Sequence, residues 1–539
     1  MTRRSTAALA ISILLAVGHT WPLATDLGGL SRHDNADTTL NTWALAWIAH
    51  ALPSQPLGVF DAPIFHPEKR TLAYSEPLLV PGLAAVPLRA AGLSATATYN
   101  VVVLLGFSLS AWAMWRLVAA WTGDEVAGAV AGAAFAFNAH LLTRFAHVQA
   151  IHAEAVPIVL LGLDRLVTRG RVRDGLLLGL GLWLTGLTSI YQLAFVSGAT
   201  VAGLAFRAGE WRGRAATTLA SASIGVLAAL AALAPVLWQY YAVSRDLGVE
   251  RSLGESAAMA ATWRDYLATG GRLHYAAWSH AFFDGSAALF PGIAVTGLSL
   301  VAIARAGTQR GRVVMLVGIA AVGLVMSLGP ALPTYEWLYD AVPLIRSMRA
   351  PARWGILVLT AAAALAGLGV AALRRQRASR VAATIGLAAF AAVTAEAWRA
   401  PMAFTPTPPI APIYNRLAAL PDAVLVEFPT FPSAQANLNA PYLLAQTVHF
   451  HPIVAGYSGL TPPGFDARLA DLATLPAEAA RRQLVALGIT HVVLHLDLLR
   501  AVVSPAALDA LDEVPWLEPA FEDARTRVYR VTAAAAARR

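Results

Sequence analysis

The sequence predicts an α-helical polytopic membrane protein with a small α/β domain at its C-terminal end. Three observations predict this class. Of the 539 residues, 57% are hydrophobic and only 13% are charged, with a mean hydropathy of +0.56, whereas soluble domains carry about 25% charged residues. About eleven apolar stretches approach the length of about 20 residues that a membrane span needs. After about residue 399 the composition changes, and prolines, polar residues and short strand patterns return.

The composition also narrows the classes of function. The net charge is +8, but the arginines fall between apolar stretches, where they determine membrane topology, and do not form one basic surface for nucleic acid. The chain has no cysteine, which excludes disulfides and thiolate metal sites. Titratable residues are nearly absent from the apolar stretches, whereas ion-coupled carriers keep such groups near mid-membrane. This favours chemistry at the membrane surface over transport.

The first apolar segment, Ala7–Leu23, follows Arg3 and Arg4. By the positive-inside rule it is expected to be an uncleaved span that carries the next loop to the outer face. The full set of predicted spans is roughly 6–24, 99–121, 124–140, 152–168, 174–189, 190–206, 215–238, 289–305, 313–329, 351–373 and 381–398. An odd number of spans places the C-terminus outside.

The stretch Pro77–Gly92 decides this orientation, because every later segment would invert if it spanned. It is short and contains three prolines. The arginine-rich loops fall on the inner side only if this stretch lies on the outer surface. We therefore expect it to be an interfacial helix, and we expect the same of Thr38–Leu52, which carries Trp43 and Trp47.

These assignments divide the chain into a transmembrane domain, 1–398, with a long first outer loop, 25–98, and an extracytoplasmic α/β domain, 399–539. A domain of about 140 residues is of ordinary size. The predicted elements of this second domain are the strands Ala423–Phe428, His491–His495 and Arg527–Val531 and the helix Ala477–Leu487.

The first outer loop supplies the first candidate site. Asp34 and Asp37, three residues apart at the exit of the first span, share a face if a helix begins there, and together reach one metal ion or one acceptor. The alternative is that one of them caps the helix beginning near Thr38. Capping and function remain about equally favoured for Asp37, and function is favoured for Asp34, which lies beside His33. The same loop contains Glu76.

The second outer loop is unusually polar for a connection between two spans. Within fifteen residues it contains Arg144, His147, Gln149, His152 and Glu154. The two histidines and the glutamate could form a metal site, and arginine is a suitable phosphate ligand. The alternative is a solvated loop with histidines at the membrane interface.

A third cluster of arginines precedes the span at 351–373. Arg346, Arg349 and Arg353 are interspersed with two prolines on the predicted outer side, against the positive-inside trend. A phosphate or pyrophosphate partner accounts for them, and lipid headgroups are the alternative.

The residues resemble the GT-C superfamily of polyprenol-dependent glycosyltransferases. The likeness rests on an acidic motif after the first span, a long first loop with interfacial helices, many spans and an external α/β domain. Its individual motifs are Asp34-x-x-Asp37 with Asn41-Thr-Trp43 and His50, Phe65-His-Pro67, Tyr74-Ser-Glu-Pro-Leu-Leu79, Tyr99-Asn100, His147-Val-Gln149, Arg349-x-Pro351-x-Arg353 and Gly456-Tyr-Ser-Gly459.

The resemblance implies transfer of a sugar from a polyprenyl-phosphate donor to an envelope glycan, lipid or protein acceptor at the outer face of the cytoplasmic membrane. Asp34 or Asp37 would be the catalytic base, with inversion at the sugar. A divalent ion, Mg²⁺ or Mn²⁺, would be held in members that use one, here by Asp34, Asp37, His147 and Glu154. The second loop departs from the acidic pattern of metal-using relatives, and no nucleotide cofactor is implied.

The remaining candidates are assigned to the substrate. Arg144, His147, Gln149, Glu76, Arg346, Arg349 and Arg353 are expected to bind the donor and its phosphate. Two other functions remain open. One is a translocase or polymerase of lipid-linked oligosaccharides, and the other is a non-catalytic scaffold for envelope assembly.

Overall fold

The computed structural model describes residues 3–248, 250–285, 287–346 and 348–532. It is mostly helical. The longer helices of the membrane domain are Arg3–His19, Ala36–Ser54, Leu79–Ala90, Ala95–Thr122, Glu125–Ala136, Ala155–Arg169, Val172–Thr188, Ile190–Phe206, Ala215–Leu247, Ile293–Ala304, Arg310–Ser327, Pro333–Ala341, Ile356–Arg374 and Ser379–Ala397. The short helix Ala139–Thr143 follows Glu125–Ala136, and the short helix Val148–Ile151 lies within the predicted second outer loop.

Six of the described helices are long and apolar enough to cross a membrane, so the chain is a multi-pass membrane protein. They are Ala95–Thr122, Glu125–Thr143, Ala208–Leu247, Gly307–Ser327, Pro351–Arg374 and Ser379–Ala397, each counted with the short helical turns continuous with it. The other predicted spans coincide with helices of 12 to 17 residues. The count of about eleven spans therefore stays a prediction.

Glycine allows two of the membrane helices to meet backbone to backbone. A Cβ atom added to Gly175, in helix Val172–Thr188, would lie 1.9 Å from the carbonyl oxygen of Ser221 in helix Ala215–Leu247. A Cβ atom on Gly225 would lie equally close to the Gly175 oxygen. Small residues at such crossings give close van der Waals packing, which holds helices together where the hydrophobic effect between them is weak. This pair fixes the long helix whose outer end lines the site described below.

The C-terminal domain is built around a four-stranded sheet. The chain forms strands β1 (Leu30–Ser31), β2 (Thr405–Pro406), β3 (Leu425–Phe428), β4 (His491–His495), β5 (Leu517–Glu522) and β6 (Thr526–Val531). The large sheet has the order β3-β4-β6-β5, with β3 and β4 parallel and the other pairs antiparallel. Its helices are Ile413–Ala418, Ala440–Gln446, Phe465–Leu472, Glu478–Ala486, Leu496–Leu499 and Pro505–Asp509.

The three strands and the helix predicted for this domain are present. Strand β5 was missed, because Pro519 and two glutamates remove the usual strand pattern. Proline is tolerated there because β5 lies at the edge of the sheet, where an N–H group is not needed for a further ladder.

The first outer loop and the C-terminal domain share one hydrophobic core. The backbone N–H groups of Phe65 and His66 donate to the carbonyls of Ala455 and Ile453 at 3.1 and 2.9 Å, and β1 pairs with β2. The domain is therefore docked on the loop through both backbone hydrogen bonds and apolar contacts.

This docking corrects one prediction. The helix Ala36–Ser54, expected to lie on the membrane surface, is almost completely buried, and Trp43 and Trp47 are 1% and 4% exposed. The Trp43 indole N–H donates to Gln446 Oε1 of the C-terminal domain at 2.6 Å. An amphipathic pattern cannot distinguish lipid from a protein partner as the surface that covers the apolar side chains. The helix Leu79–Ala90, by contrast, has 12 residues, too few to span a bilayer.

Candidate functional site

A cavity of about 500 Å³ lies where the first loop, the second loop, the outer end of helix Ala215–Leu247 and the C-terminal domain meet. Six of the residues predicted from sequence to be functional line it, although they come from three separate parts of the chain. They are Asp37, Glu76, His147, Gln149, Arg349 and Arg353. Arg144 lines a smaller adjoining cavity of about 40 Å³ together with several of them.

Asp37 lies in the first turn of helix Ala36–Ser54, and Asn35 is the cap of that helix. The Asn35 side chain accepts the Asp37 backbone N–H at 2.9 Å, so the Asp37 carboxylate is not used for capping. Its Oδ1 accepts a hydrogen bond from the Tyr457 hydroxyl at 2.6 Å, and its Oδ2 lies 3.3 Å from His147 Nε2. The carboxylate is thus presented to the cavity by partners from two distant loops.

Two hydrogen bonds hold the second loop beside this helix. Asn41 Nδ2 donates to the Ala146 carbonyl at 3.1 Å, and the Tyr99 hydroxyl donates to the Phe145 carbonyl at 2.9 Å. They place His147 next to the Asp37 carboxylate. Burial is the main cause that lowers the pKa of His147 to about 4; Asp37 opposes it, and the nearby arginines reinforce it. At neutral pH this imidazole is uncharged.

Buried atoms of the second loop that have no partner in the described part of the chain include Nδ1 of His147 and Oε1 of Gln149, both of which belong to residues that line the cavity. Because an unsatisfied buried acceptor is costly, donors from a bound ligand would stabilise both.

Glu76 is 8% exposed and joins the first loop to a membrane helix. Its Oε2 accepts the backbone N–H of Ile190, the first residue of helix Ile190–Phe206, at 2.7 Å. Burial raises the pKa of this carboxyl, and the Ile190 N–H and the Arg353 charge oppose the shift. A carboxylate at a helix N-terminus is favourable, so Glu76 has a structural role as well as a place in the cavity wall.

The arginines supply the positive side of the cavity. The Arg353 guanidinium lies over the ring of Tyr191 at 4.8 Å from its centroid, and the Arg349 backbone N–H donates to the Tyr191 hydroxyl at 3.1 Å. Neither guanidinium donates a hydrogen bond to a residue that the structure describes. Burial lowers the pKa of Arg144 to about 10, which still leaves that side chain charged at neutral pH. Arg349 and Arg353 therefore line the large cavity, and Arg144 and Arg353 line the smaller one beside it.

Three predicted site residues lie elsewhere. Asp34 is exposed and forms an ion pair with Arg32 at 3.1 Å, so the preference for Asp34 over Asp37 is corrected by this geometry. The Arg346 guanidinium donates to the carbonyls of Tyr339 and Asp340 at 2.9 and 2.7 Å. Glu154 is engaged by His152 Nδ1 at 2.9 Å.

The predicted metal ligands are not brought together. Of Asp34, Asp37, His147 and Glu154, only Asp37 and His147 meet, and no three His, Asp or Glu side chains within the described ranges could hold a metal ion. The arginines beside Asp37 would also repel a divalent cation. These residues do not fit such an ion, and no step below is routed through one.

Sequence reasoning gave no role to several residues of the cavity. Tyr457 was noted only within a glycine-bordered motif, and Tyr191 and Tyr240 not at all. The Tyr240 hydroxyl donates to the Ser75 carbonyl at 2.6 Å. The apolar residues of the wall include Leu40, Leu237, Val243, Met348 and Leu460.

Solved structures that resemble this chain over most of its length include the following two. Archaeal oligosaccharyltransferase AglB from Archaeoglobus fulgidus, in complex with an inhibitory peptide and a dolichol-phosphate, matches over 92% of this chain and 69% of its own, with 13% identity and a TM-score of 0.42. ArnT from Cupriavidus metallidurans, bound to undecaprenyl phosphate, matches over 97% of both chains, with 12% identity and a TM-score of 0.49.

No protein-family model and no curated protein matches this chain. At these identities and TM-scores the two structures compare only in the general course of the chain. The chemistry is therefore derived from the side chains of the cavity.

Proposed function

We propose that this protein transfers a sugar from a polyprenyl-phosphate donor to an acceptor hydroxyl at the outer face of the cytoplasmic membrane. The observation that carries the proposal is the placement of the Asp37 carboxylate and the Arg349 and Arg353 guanidiniums on one cavity with otherwise largely apolar walls. A base, a phosphate-binding region and a space for a lipid chain are the three requirements of this reaction.

Asp37 is proposed as the general base. It removes the proton from the acceptor hydroxyl as the acceptor oxygen forms a bond to the anomeric carbon of the sugar. The bond from that carbon to the phosphate oxygen breaks, and its electron pair leaves with the polyprenyl phosphate. A single displacement of this kind inverts the anomeric centre.

Arg349 and Arg353 are proposed to bind the departing phosphate, with Arg144 beside them. Charge develops on the phosphate oxygen as the sugar leaves, and guanidiniums placed in a poorly hydrated cavity stabilise it in the transition state. The Arg349 and Arg353 guanidiniums donate no hydrogen bond to the described residues, so their donors are available for phosphate oxygens.

The lipid chain is proposed to reach the cavity from the side of helix Ala215–Leu247. Leu237 and Tyr241 of this helix line the cavity, and Trp238 and Tyr241 are 55% and 59% exposed on its surface. Aromatic residues at this level are typical of the membrane interface. A donor held in the bilayer by its tail therefore reaches the arginines without leaving the membrane.

A carrier for ions or lipids has less support. The buried Asp164 in the membrane domain is already neutralised by Arg207 at 2.6 Å and Arg312 at 3.0 Å. Ion-coupled transport needs such a carboxylate to be available to the coupling ion.

Transfer from radiolabelled polyprenyl-phosphate hexose and pentose donors to an envelope extract tests the proposal. The purified wild-type protein is expected to move label from the lipid to the extract, and Asp37→Asn is expected to fail. Movement of lipid-linked label across vesicles without release of free polyprenyl phosphate would instead identify a translocase. A wild-type protein that neither transfers nor moves any donor would contradict the proposal and leave the scaffold function.

A further inference from the structure

The C-terminal domain contributes a side chain to the candidate active site. Tyr457 lies 420 residues from Asp37 in sequence, and its hydroxyl donates to Asp37 Oδ1 at 2.6 Å. Tyr457, Ser458, Gly459 and Leu460 all line the main cavity. These four residues belong to the C-terminal domain, which could otherwise be interpreted as a separate module that binds the acceptor.

The loop that carries Tyr457 is held from several sides. A Cβ atom on Gly456 would lie 2.4 Å from the ring of Phe65, so only glycine fits this position without movement of the first loop. The Gly456 carbonyl accepts a hydrogen bond from Asn439 Nδ2 at 3.1 Å, and the Gly459 carbonyl accepts one from Arg251 at 3.2 Å. The position of the tyrosine is thus set by its own domain, by the first loop and by the membrane domain.

The groups that face Asp37 come from each of these elements. They are His147 and Arg144 from the second loop, Arg349 and Arg353 from the segment before the span, and Tyr457 from the C-terminal domain. Burial raises the pKa of Tyr457, and the hydrogen bond to Asp37 raises it further, so its hydroxyl remains a donor throughout the physiological range. Each Asp37 oxygen then has one fixed neighbour and retains lone pairs for an acceptor hydroxyl.

We infer that Tyr457 is a positioning residue that holds the Asp37 carboxylate in the orientation needed for proton removal. The inference rests on the proposed function, because it assigns the C-terminal domain a part in the same reaction. The C-terminal domain supplies one hydrogen-bond donor to the proposed base, Asp37. Its docking on the first loop is therefore a condition for activity.

Tyr457→Phe tests this by removing one hydroxyl and keeping the ring. Infrared spectra of the purified protein isolate the Asp37 carboxylate as the stretching band that is lost in Asp37→Asn. Removal of the Tyr457 hydroxyl is expected to shift the frequency of that band, because a hydrogen-bond donor to a carboxylate oxygen changes its stretching vibration. In the transfer assay kcat is expected to fall about tenfold with little change in KM for the donor.

Tyr442→Phe is the matched control. It removes a hydroxyl from the same domain, where it donates to the Pro429 carbonyl at 2.9 Å, and it is expected to leave the Asp37 band and transfer unchanged. An unchanged Asp37 band in Tyr457→Phe would overturn the inference. Because the infrared spectrum needs no substrate, it decides the role of Tyr457 in holding the carboxylate even if no donor is used, whereas absence of transfer by the wild type refutes the proposed function.

Discussion

The side chain of Asn35 accepts the backbone N–H of Asp37 at 2.9 Å. This hydrogen bond distinguishes Asp37 from Asp34, two carboxylates that are nearly equivalent in the sequence pattern. Since Asn35 caps the helix, Asp37 is free to face the cavity, while Asp34 remains on the surface with Arg32.

Asp37→Asn and Asp34→Asn should therefore differ. The first removes the base but keeps the shape of the side chain, and transfer is expected to fall by about 10²-fold to 10⁴-fold. The second loses only an exposed ion pair, which contributes about 0–1 kcal/mol to stability, and transfer is expected to stay near that of the wild type. Initial rates with a radiolabelled donor decide between them, and equal losses in the two variants would contradict this assignment.

Arg349→Ala is expected to weaken binding of polyprenyl phosphate. A hydrogen bond to a charged group contributes about 1.5–3 kcal/mol, which corresponds to roughly a tenfold to 150-fold change in Kd. Arg346→Ala is the control from the same segment, because Arg346 is bonded to the carbonyls of Tyr339 and Asp340. Calorimetric titration of detergent-solubilised protein with undecaprenyl phosphate measures both, and a weaker effect at Arg349 than at Arg346 would refute the phosphate role.

Gln446→Leu should destabilise the docked C-terminal domain. Gln446 accepts the Trp43 indole N–H at 2.6 Å and donates to the carbonyls of Pro63 and His451 at 2.5 and 2.8 Å. Leucine leaves these buried groups unpaired, at about 1–3 kcal/mol for each, and Tm is expected to fall by several degrees. The control Gln435→Leu changes an exposed glutamine and is expected to shift Tm by less than about 1 °C, so equal shifts would count against the interpretation of the interface.

His33 should make the fold less stable in acid. Its ring nitrogens lie 2.7 Å from Thr39 Oγ1 and 3.3 Å from Thr96 Oγ1, and burial lowers its pKa to about 4 against the opposing charge of Asp34. The unfolded chain takes up this proton near pH 6.5 and the folded chain only near pH 4, so stability is lost as pH falls through that interval. At pH 5 the difference in proton uptake by His33 lowers the free energy of unfolding by at most about 2 kcal/mol.

Thermal unfolding of His33→Gln between pH 7 and pH 5 checks this effect. Glutamine keeps a donor and an acceptor for the two hydroxyls but does not titrate, so the decline in Tm with acid is expected to be smaller than in the wild type. The same slope in both proteins would show that His33 is not a source of acid sensitivity.

Sequence patterns predicted the elements that depend on local composition. The apolar stretches became helices, and His491–His495 became a strand in a mixed sheet, because length, periodicity and turn residues determine such elements directly. The arginines before the span at 351–373 stood out because they oppose the topology rule. Arg349 and Arg353 line the cavity, whereas Arg346 is turned away from it. The direction of the backbone at each arginine causes this difference, and the spacing of the residues in the sequence does not predict that direction.

Interactions between distant residues could not be predicted. The sequence predicts that Trp43 is a membrane-interface anchor, because its hydrogen-bond partner, Gln446, is 403 residues away and cannot be identified from local patterns. Asp34 seemed preferable to Asp37 because nothing local shows that Asn35 takes the capping position. The only sequence feature that marked Tyr457 was the pair of glycines around it, Gly456 and Gly459. Gly456 is needed because its backbone lies close to the ring of Phe65.

The distance of 420 residues between Asp37 and Tyr457 has a consequence for the order of events during synthesis. All the candidate spans leave the ribosome before the tyrosine does, so an incompletely made chain is already inserted in the bilayer while its base lacks one of its two neighbours. Under the function proposed above, catalytic competence would arrive only when the C-terminal domain has been translated and has folded onto the first loop, and a chain truncated before Tyr457 would stay inactive.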